Sequence, residues 1–384
     1  MLLNVYKRFP VTFVKGDGNQ LYDDEGKAYL DFASGIGVNA IGHAHPVWVE
    51  AVTEQAAKLA HVSNLYQTEP AELLAKKLVD ISGLAGVFFA NSGAESNEGM
   101  IKMARKYSQD KYGKGRHTII TLTQSFHGRT ITTLAATGQD SLHQYFDPFT
   151  EGFVHVPAND ITAINALDHA STCAVLLEPV QGEGGVLPLD EAYVRAVAKL
   201  CEENDWLLLF DEVQTGIGRT GKWFAFQHFD VKPDAVSFAK GIGGGLPLGG
   251  FIVSQKCQAV LGIGDHGTTF GGNPIACAGA LAVLQVVEEA LPTVASKSKQ
   301  IVEAFEKING LSHVRGIGLM MGATVNETVG PVREVVESLL EAGLVVLSAG
   351  TDTLRLLPPL TITEAELTAG LEIVQQVCEG RLAP

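Results

Sequence analysis

Apolar and polar positions follow two periods along this chain. Residues 87–90, 118–122, 153–156, 174–177, 206–210 and 235–239 are short, nearly continuous apolar runs, as expected of strands buried on both faces. Between them the period lengthens to that of a helix, over 94–107 and over 193–201, where Tyr193, Val194, Val197, Leu200 and Cys201 share one face. An earlier helix is expected from Trp48 onward, with Val49, Val52, Ala56 and Leu59 at helical spacing. Strand and helix in alternation predict an α/β fold built on a mostly parallel sheet flanked by helices.

The pattern changes towards both ends. A helix rich in small residues is expected over 274–291, and another carries Val332, Val335, Val336, Leu339 and Leu340. Strands are expected at 344–347 and 354–356, and a last helix opens on the capping box of Thr363 and Glu366. This mixture reads as a smaller α+β domain. Near the N-terminus, strands at 20–22 and 28–31 are joined by Asp23, Asp24, Glu25 and Gly26, too little to enclose a core. The expected division is a large domain over 48–287, a small one over 288–384, and a segment, 1–47, packed with the small domain.

Composition narrows the class. Hydrophobic residues make up 46% of the 384 positions and charged ones 18%, a globular profile that excludes disorder. A net charge of −15 with no basic run argues against nucleic acid and anionic membranes as partners. The 5 cysteines lack CxxC spacing, and neither a signal-like N-terminus nor an apolar run of spanning length is evident, so a cytoplasmic protein with reduced thiols is expected. His43 and His45 have no third ligand at a suggestive spacing, and no metal is expected.

Two of the apolar runs end on reactive groups. One delivers Asp211, followed by Val213 and Gln214 two and three positions on; the other delivers Lys240. Side chains just beyond the C-terminal ends of parallel strands face the crevice where ligands bind in open α/β sheets. An amine and an acid at one crevice are what pyridoxal 5'-phosphate (PLP) asks of a protein: a lysine for its aldehyde and a carboxylate for its ring nitrogen. Ser92, Gly93 and Ala94 lie where a strand passes into a helix, which makes an anion site, although Ser92 and Glu95 also make a plain capping box. A competing signal is GIGRTGK, Gly216 to Lys222, which satisfies GxGxxG and most of a Walker A string. Trp223 stands where the magnesium-holding Ser or Thr belongs, and acidic residues precede the first glycine; a nucleotide-binding loop is the alternative from another class.

DEVQTGIGRTG, SFAKGIGGGLPLGG, NSGAESNE, SFHGRT, EPVQGEGG and TTFGGNP are spread over almost the whole chain. This set resembles the class-III aminotransferases, PLP enzymes of fold type I, and within them those acting on N-acetylornithine. The resemblance implies that Lys240 forms the Schiff base and moves the proton, and that Asp211 holds the ring nitrogen protonated. It implies further that Phe126 and Val213 pack on the two ring faces, that Gln214 meets the phenolate oxygen, and that Ser92, Gly93 and Ala94 cup the phosphate. Ala94 and Ser96 depart from the family's usual SGTEANE but leave the backbone donors intact. Arg129 is implied as a clamp on a substrate carboxylate, and Glu183 with Arg355 as an ion pair that opens for glutamate. Thr268 and Thr269 would reach a phosphate in a neighbouring subunit, giving a homodimer with shared sites. His127 is read as a packing residue. The implied substrates are N-acetylornithine with 2-oxoglutarate and glutamate. Gly35, where ornithine aminotransferases typically carry tyrosine, favours an acylated substrate. Succinylornithine, ornithine and 4-aminobutyrate stay as alternatives.

Overall fold

The computed structural model describes residues 1–382. Its central sheet has the spatial order Gly86–Ala90, Gly249–Val253, Ala235–Phe238, Leu207–Asp211, Thr172–Leu177, Thr118–Leu122, Phe153–Val156. Every pairing is parallel except those of Gly249–Val253, which runs antiparallel to both neighbours. The inner strands Thr172–Leu177, Leu207–Asp211 and Ala235–Phe238 are buried throughout. Leu207 and Leu209 face the helix Gly93–Tyr112 through Met100, Met103 and Ala104, while Leu208 and Phe210 join Val194 and Val197 of the helix Glu191–Asn204. Both faces are covered, which is why these strands read as unbroken apolar runs; each buried Leu or Val contributes about 1.5–3 kcal/mol.

The antiparallel strand was not expected, because its leading glycine pair suppresses the strand signal. Those glycines have a packing reason. A Cβ at Gly249 would fall 2.8 Å from the Ser92 carbonyl oxygen, and one at Gly250 would fall 2.3 Å from that of Phe88. Other elements outside the expected set are the helices Glu69–Ser82 and Val294–Phe305 and the strands Leu311–Ile317 and Met320–Val325.

A second sheet of antiparallel strands, in the order Leu311–Ile317, Met320–Val325, Thr353–Leu356, Leu347–Ala349, forms the C-terminal part. A third sheet joins the chain ends: Phe13–Asp17, Gln20–Asp23 and Ala28–Asp31 form a meander, and Leu344–Val345 pairs in parallel with Ala28–Asp31. The single strand expected at 344–347 is therefore split at the buried Val346, with its two halves in different sheets.

Two further expectations need correction. The helix Pro46–Lys58 turns Val49 away from the core, 41% exposed, as is Leu59 just beyond its end; its anchor is Trp48, whose indole donates to the Gly243 carbonyl at 3.3 Å. The apolar helical stretch Pro274–Phe305 is long enough to span a membrane by composition, but 56% of its most apolar window is buried in protein. It packs as a core helix beside Glu69–Ser82 and Pro46–Lys58. The capping box of Thr363 and Glu366 is present as read.

Gly99, inside the helix Gly93–Tyr112, touches the antiparallel strand, since a Cβ there would lie 2.3 Å from the Phe251 ring. Helix propensity alone would make Gly99→Ala stabilising by roughly 1 kcal/mol. Overpacking reverses the sign, and urea unfolding is expected to show a loss of about 1–3 kcal/mol.

Candidate active site

Leu207–Asp211 and Ala235–Phe238 are neighbours in parallel register, Asp211 opposite Ser237, so Asp211 and Lys240 emerge at one end of the sheet. Lys240 begins a single 3₁₀ turn with φ 44°, a left-handed backbone conformation unusual for a residue with a side chain. Burial pushes its amine below the ordinary lysine value, Arg355 acts in the same direction, and Glu183 and Asp211 oppose it without cancelling the effect.

Asp211 is 4% exposed, and each of its oxygens has two donors. Oδ2 accepts from Asn97 Nδ2 at 2.7 Å and from His127 Nδ1 at 2.8 Å; Oδ1 accepts from the Val213 N–H at 3.0 Å and the Ser237 hydroxyl at 3.4 Å. Asn97 also donates to the His127 carbonyl at 2.8 Å, locking the two partners together. Burial lowers the His127 pKa, the Asp211 hydrogen bond raises it, and the balance lies above the ordinary imidazole value. His127 therefore does more than pack: it orients Asp211. Neither Asn97 nor Glu178 was singled out by sequence. Asn97 sits one turn into the helix in NSGAESNE, and its side-chain role is set by a contact 114 residues distant. Glu178 directly follows the strand Thr172–Leu177 and accepts from the Phe126 N–H at 2.9 Å. Burial pushes its carboxyl up to about 7, with His127 opposing and Asp211 reinforcing.

The helix Gly93–Tyr112 points its N-terminus into the same cavity, of about 430 Å³, lined by Ser92, Gly93, Ala94, Phe126, Asp211, Val213, Gln214 and Lys240 among others. Ser92 is the N-cap, accepting from the Glu95 N–H at 3.2 Å, while Glu95 reaches back to the Asn91 N–H at 2.6 Å rather than to that of Ser92. A Cβ at Gly93 would fall 2.7 Å from Val213, so glycine is required for the helix to approach that wall. Arg129 lines the cavity with its guanidinium 5.5 Å from the Phe126 ring centroid.

A second cavity, of about 620 Å³, shares Phe126 and Arg129 and extends past Glu183 to the C-terminal sheet. At this edge Glu183 and Arg355 form a bidentate pair at 2.7 and 3.3 Å. Arg355 is 2% exposed, and its Nε has no partner among the described residues. Burial raises the Glu183 pKa, but the Arg355 charge and hydrogen bonds outweigh it and hold the carboxyl below its usual value. Gln214 joins this pair, accepting from Arg355 at 3.1 Å and donating to Glu183 at 3.3 Å.

The structure separates other candidates from the site. Thr268 and Thr269 line a different cleft with Asn91, Glu95 and His266, away from Lys240 of their own chain. The loop from Gly216 to Lys222 is no nucleotide cradle. Arg219 is buried, donating to the carbonyls of Leu319 and Pro358, and a Cβ at Gly218 would meet Val287 at 2.6 Å. Gly218 and Gly221 pack against the C-terminal half, and Gly216 against Glu212 and Phe224 beside it. His43 pairs with Asp31 at 2.8 Å.

A family profile described as aminotransferase class-III matches residues 3–378. The chain belongs to the class-III aminotransferases. Its relatives in this family include the acetylornithine aminotransferase of Haemophilus ducreyi, 51% identical over 378 residues, 98% of this chain and 96% of that one. Among solved structures, the ornithine aminotransferase of Toxoplasma gondii superposes with a TM-score of 0.94 at 29% identity, covering 99% of this chain and 92% of that one. The N-acetylornithine aminotransferase of Stenotrophomonas maltophilia does so with 0.86 at 36% identity, covering 98% and 97%.

Because this class-III aminotransferase keeps Glu178 protonated to about pH 7 when folded, against 4.5 ordinarily, the group takes stability away as pH rises through that window. Glu178→Gln stays neutral throughout. Its urea midpoint relative to the parent is expected to rise between about pH 5 and about pH 7.5. An offset that does not change with pH would exclude the shift.

Proposed function

We propose that this enzyme transfers the terminal amine of N-acetylornithine to 2-oxoglutarate, giving N-acetylglutamate semialdehyde and glutamate, with PLP as cofactor and in the cytoplasm. The observation that carries the chemistry is the convergence of Lys240, Asp211 and a helix N-terminus on one cavity. The substrate rests on the likeness to acetylornithine aminotransferases over nearly the whole chain.

The residues present fit PLP. A helix N-terminus without a Cβ at Gly93 suits a phosphate, an amine with its pKa lowered suits an aldehyde, and a carboxylate fixed by two side chains suits a pyridinium. When bound, PLP supplies an aldehyde that takes up amines and a ring that accepts the electron pair left on the substrate carbon. Ser92, Gly93 and Ala94 would hold its phosphate, Phe126 and Val213 its ring faces, Gln214 its ring oxygen and Asp211 the proton on its nitrogen. Lys240 would anchor it at rest. With its amine free, Lys240 would act as base and then acid, carrying the proton from the amine-bearing carbon to the carbon that held the aldehyde. Arg129 would bind the carboxylate of N-acetylornithine, and Arg355, released from Glu183, the α-carboxylate of glutamate.

The same reading places a second copy of the chain at the cleft of Thr268 and Thr269, so that Thr269 reaches the partner's phosphate. Exposed apolar residues surround that region: Phe270 at 62%, Leu65 at 86% and Tyr66 at 68%. Asn64 ties the two segments together by donating to the Thr268 and Gly271 carbonyls. Such a patch favours burial against another chain.

The enzyme incubated with PLP is expected to show a visible absorbance band that bleaches with N-acetylornithine and returns with 2-oxoglutarate. Lys240→Ala should lose turnover by ~10²–10⁴-fold or more. Bleaching by ornithine or 4-aminobutyrate alone would keep the class and remove the substrate. Mixing Lys240→Ala with Thr269→Ala subunits is expected to give activity above either parent, since one complete site re-forms; no gain would exclude shared sites.

A further inference from the structure

We infer that Arg315 is a positioning residue for the Glu183–Arg355 pair, acting as a clamp that sets how readily the pair opens. The inference rests on the two-substrate reading above. Arg315 lies on Leu311–Ile317, opposite Gly322 of the next strand, and Gly322 lies opposite Arg355 of the strand beyond. The two arginines thus flank a position that has no side chain. Val186 fills that space: a Cβ at Gly322 would fall 2.9 Å from the Val186 side chain. Val186 belongs to the loop that carries Glu183 and clusters there with Val180, Met320 and Leu357.

The Arg315 guanidinium then ties this loop to the strand of Arg355. Nε donates to the Gly185 carbonyl at 2.9 Å, two residues from Glu183. Nη2 donates to the Thr353 hydroxyl at 2.6 Å, two residues from Arg355 and on the same face of its strand. Nη1 is spent on Thr324 at 3.1 Å and on the His313 carbonyl at 2.8 Å. A second tie runs from the Gly350 N–H to the Glu183 carbonyl at 2.9 Å. A planar fork can span both sides of such a junction; an ammonium, as a single point, cannot.

With the clamp removed, the loop relaxes and Glu183 leaves Arg355. A substrate with no carboxylate near its reacting amine then meets an uncompensated buried cation, whereas glutamate brings its own partner for Arg355. Arg315→Met in the PLP-loaded enzyme is expected to raise KM for N-acetylornithine roughly tenfold, the scale of one charge-assisted hydrogen bond. KM for glutamate stays level or falls, and amide hydrogen exchange of residues 182–187 speeds up while that of the central sheet is unchanged. Arg315→Lys should behave like Arg315→Met, because the fork rather than the charge is needed. Thr353→Val, which removes one acceptor at nearly constant shape, should move both readouts the same way and carries the test if Arg315→Met does not fold. An equal rise in both KM values, or unchanged exchange in the loop, overturns the inference. A parent enzyme that uses neither substrate would instead sink the functional reading, and the exchange experiment would still decide whether Arg315 clamps the loop.

Discussion

A carboxylate taken out of water costs several kcal/mol unless its oxygens find donors, and the central sheet with its covering helices is arranged around meeting that demand for Asp211. Its partners come from the helix Gly93–Tyr112, from the segment after Thr118–Leu122 and from the adjacent strand, three pieces of chain that only the folded sheet brings together. Each partner is itself fixed, Asn97 by the His127 carbonyl and His127 by burial. Asp211 and the helix N-terminus at Ser92 are therefore positioned by one helix, and a shift of that helix would move both.

The other side of the site obeys a different constraint. Arg355 is at least as buried as Asp211, but its counter-ion comes from the loop that carries Glu183, and the pair ties that loop to the C-terminal sheet. Breaking a buried pair by removing one partner costs about 3–5 kcal/mol, so opening it requires an incoming carboxylate to replace the lost one. On the proposed reading, discrimination between substrates is a matter of which molecule brings that replacement.

Strand positions were legible where burial on both faces left continuous apolar runs, and Asp211 and Lys240 were legible because a reactive residue ended such a run. Gly249–Val253 was hidden since its glycines answer to the Ser92 and Phe88 carbonyls, a packing demand with no local period. Asn97 and Glu178 carry roles that exist only through contacts distant in sequence, and their types have too many ordinary uses to be singled out; His127 was read as packing for the same reason. The glycine loop from Gly216 to Lys222 raised the competing nucleotide signal because close packing of chain segments and close approach to a phosphate call for the same residue.

The sheet that joins the chain ends has a consequence for biosynthesis. Ala28–Asp31 finds its fourth-strand partner in Leu344–Val345, and the Phe32 carbonyl accepts from the Leu357 N–H. At about 5–20 residues per second, the first strands leave the ribosome on the order of tens of seconds before their partner is made. Until then Tyr29 and Phe32, buried in the finished enzyme, belong to a short meander with an open edge. Nascent chains of this enzyme should depend on chaperones at these first strands, where folding has to wait for the distant segment Leu344–Val345 to be synthesised.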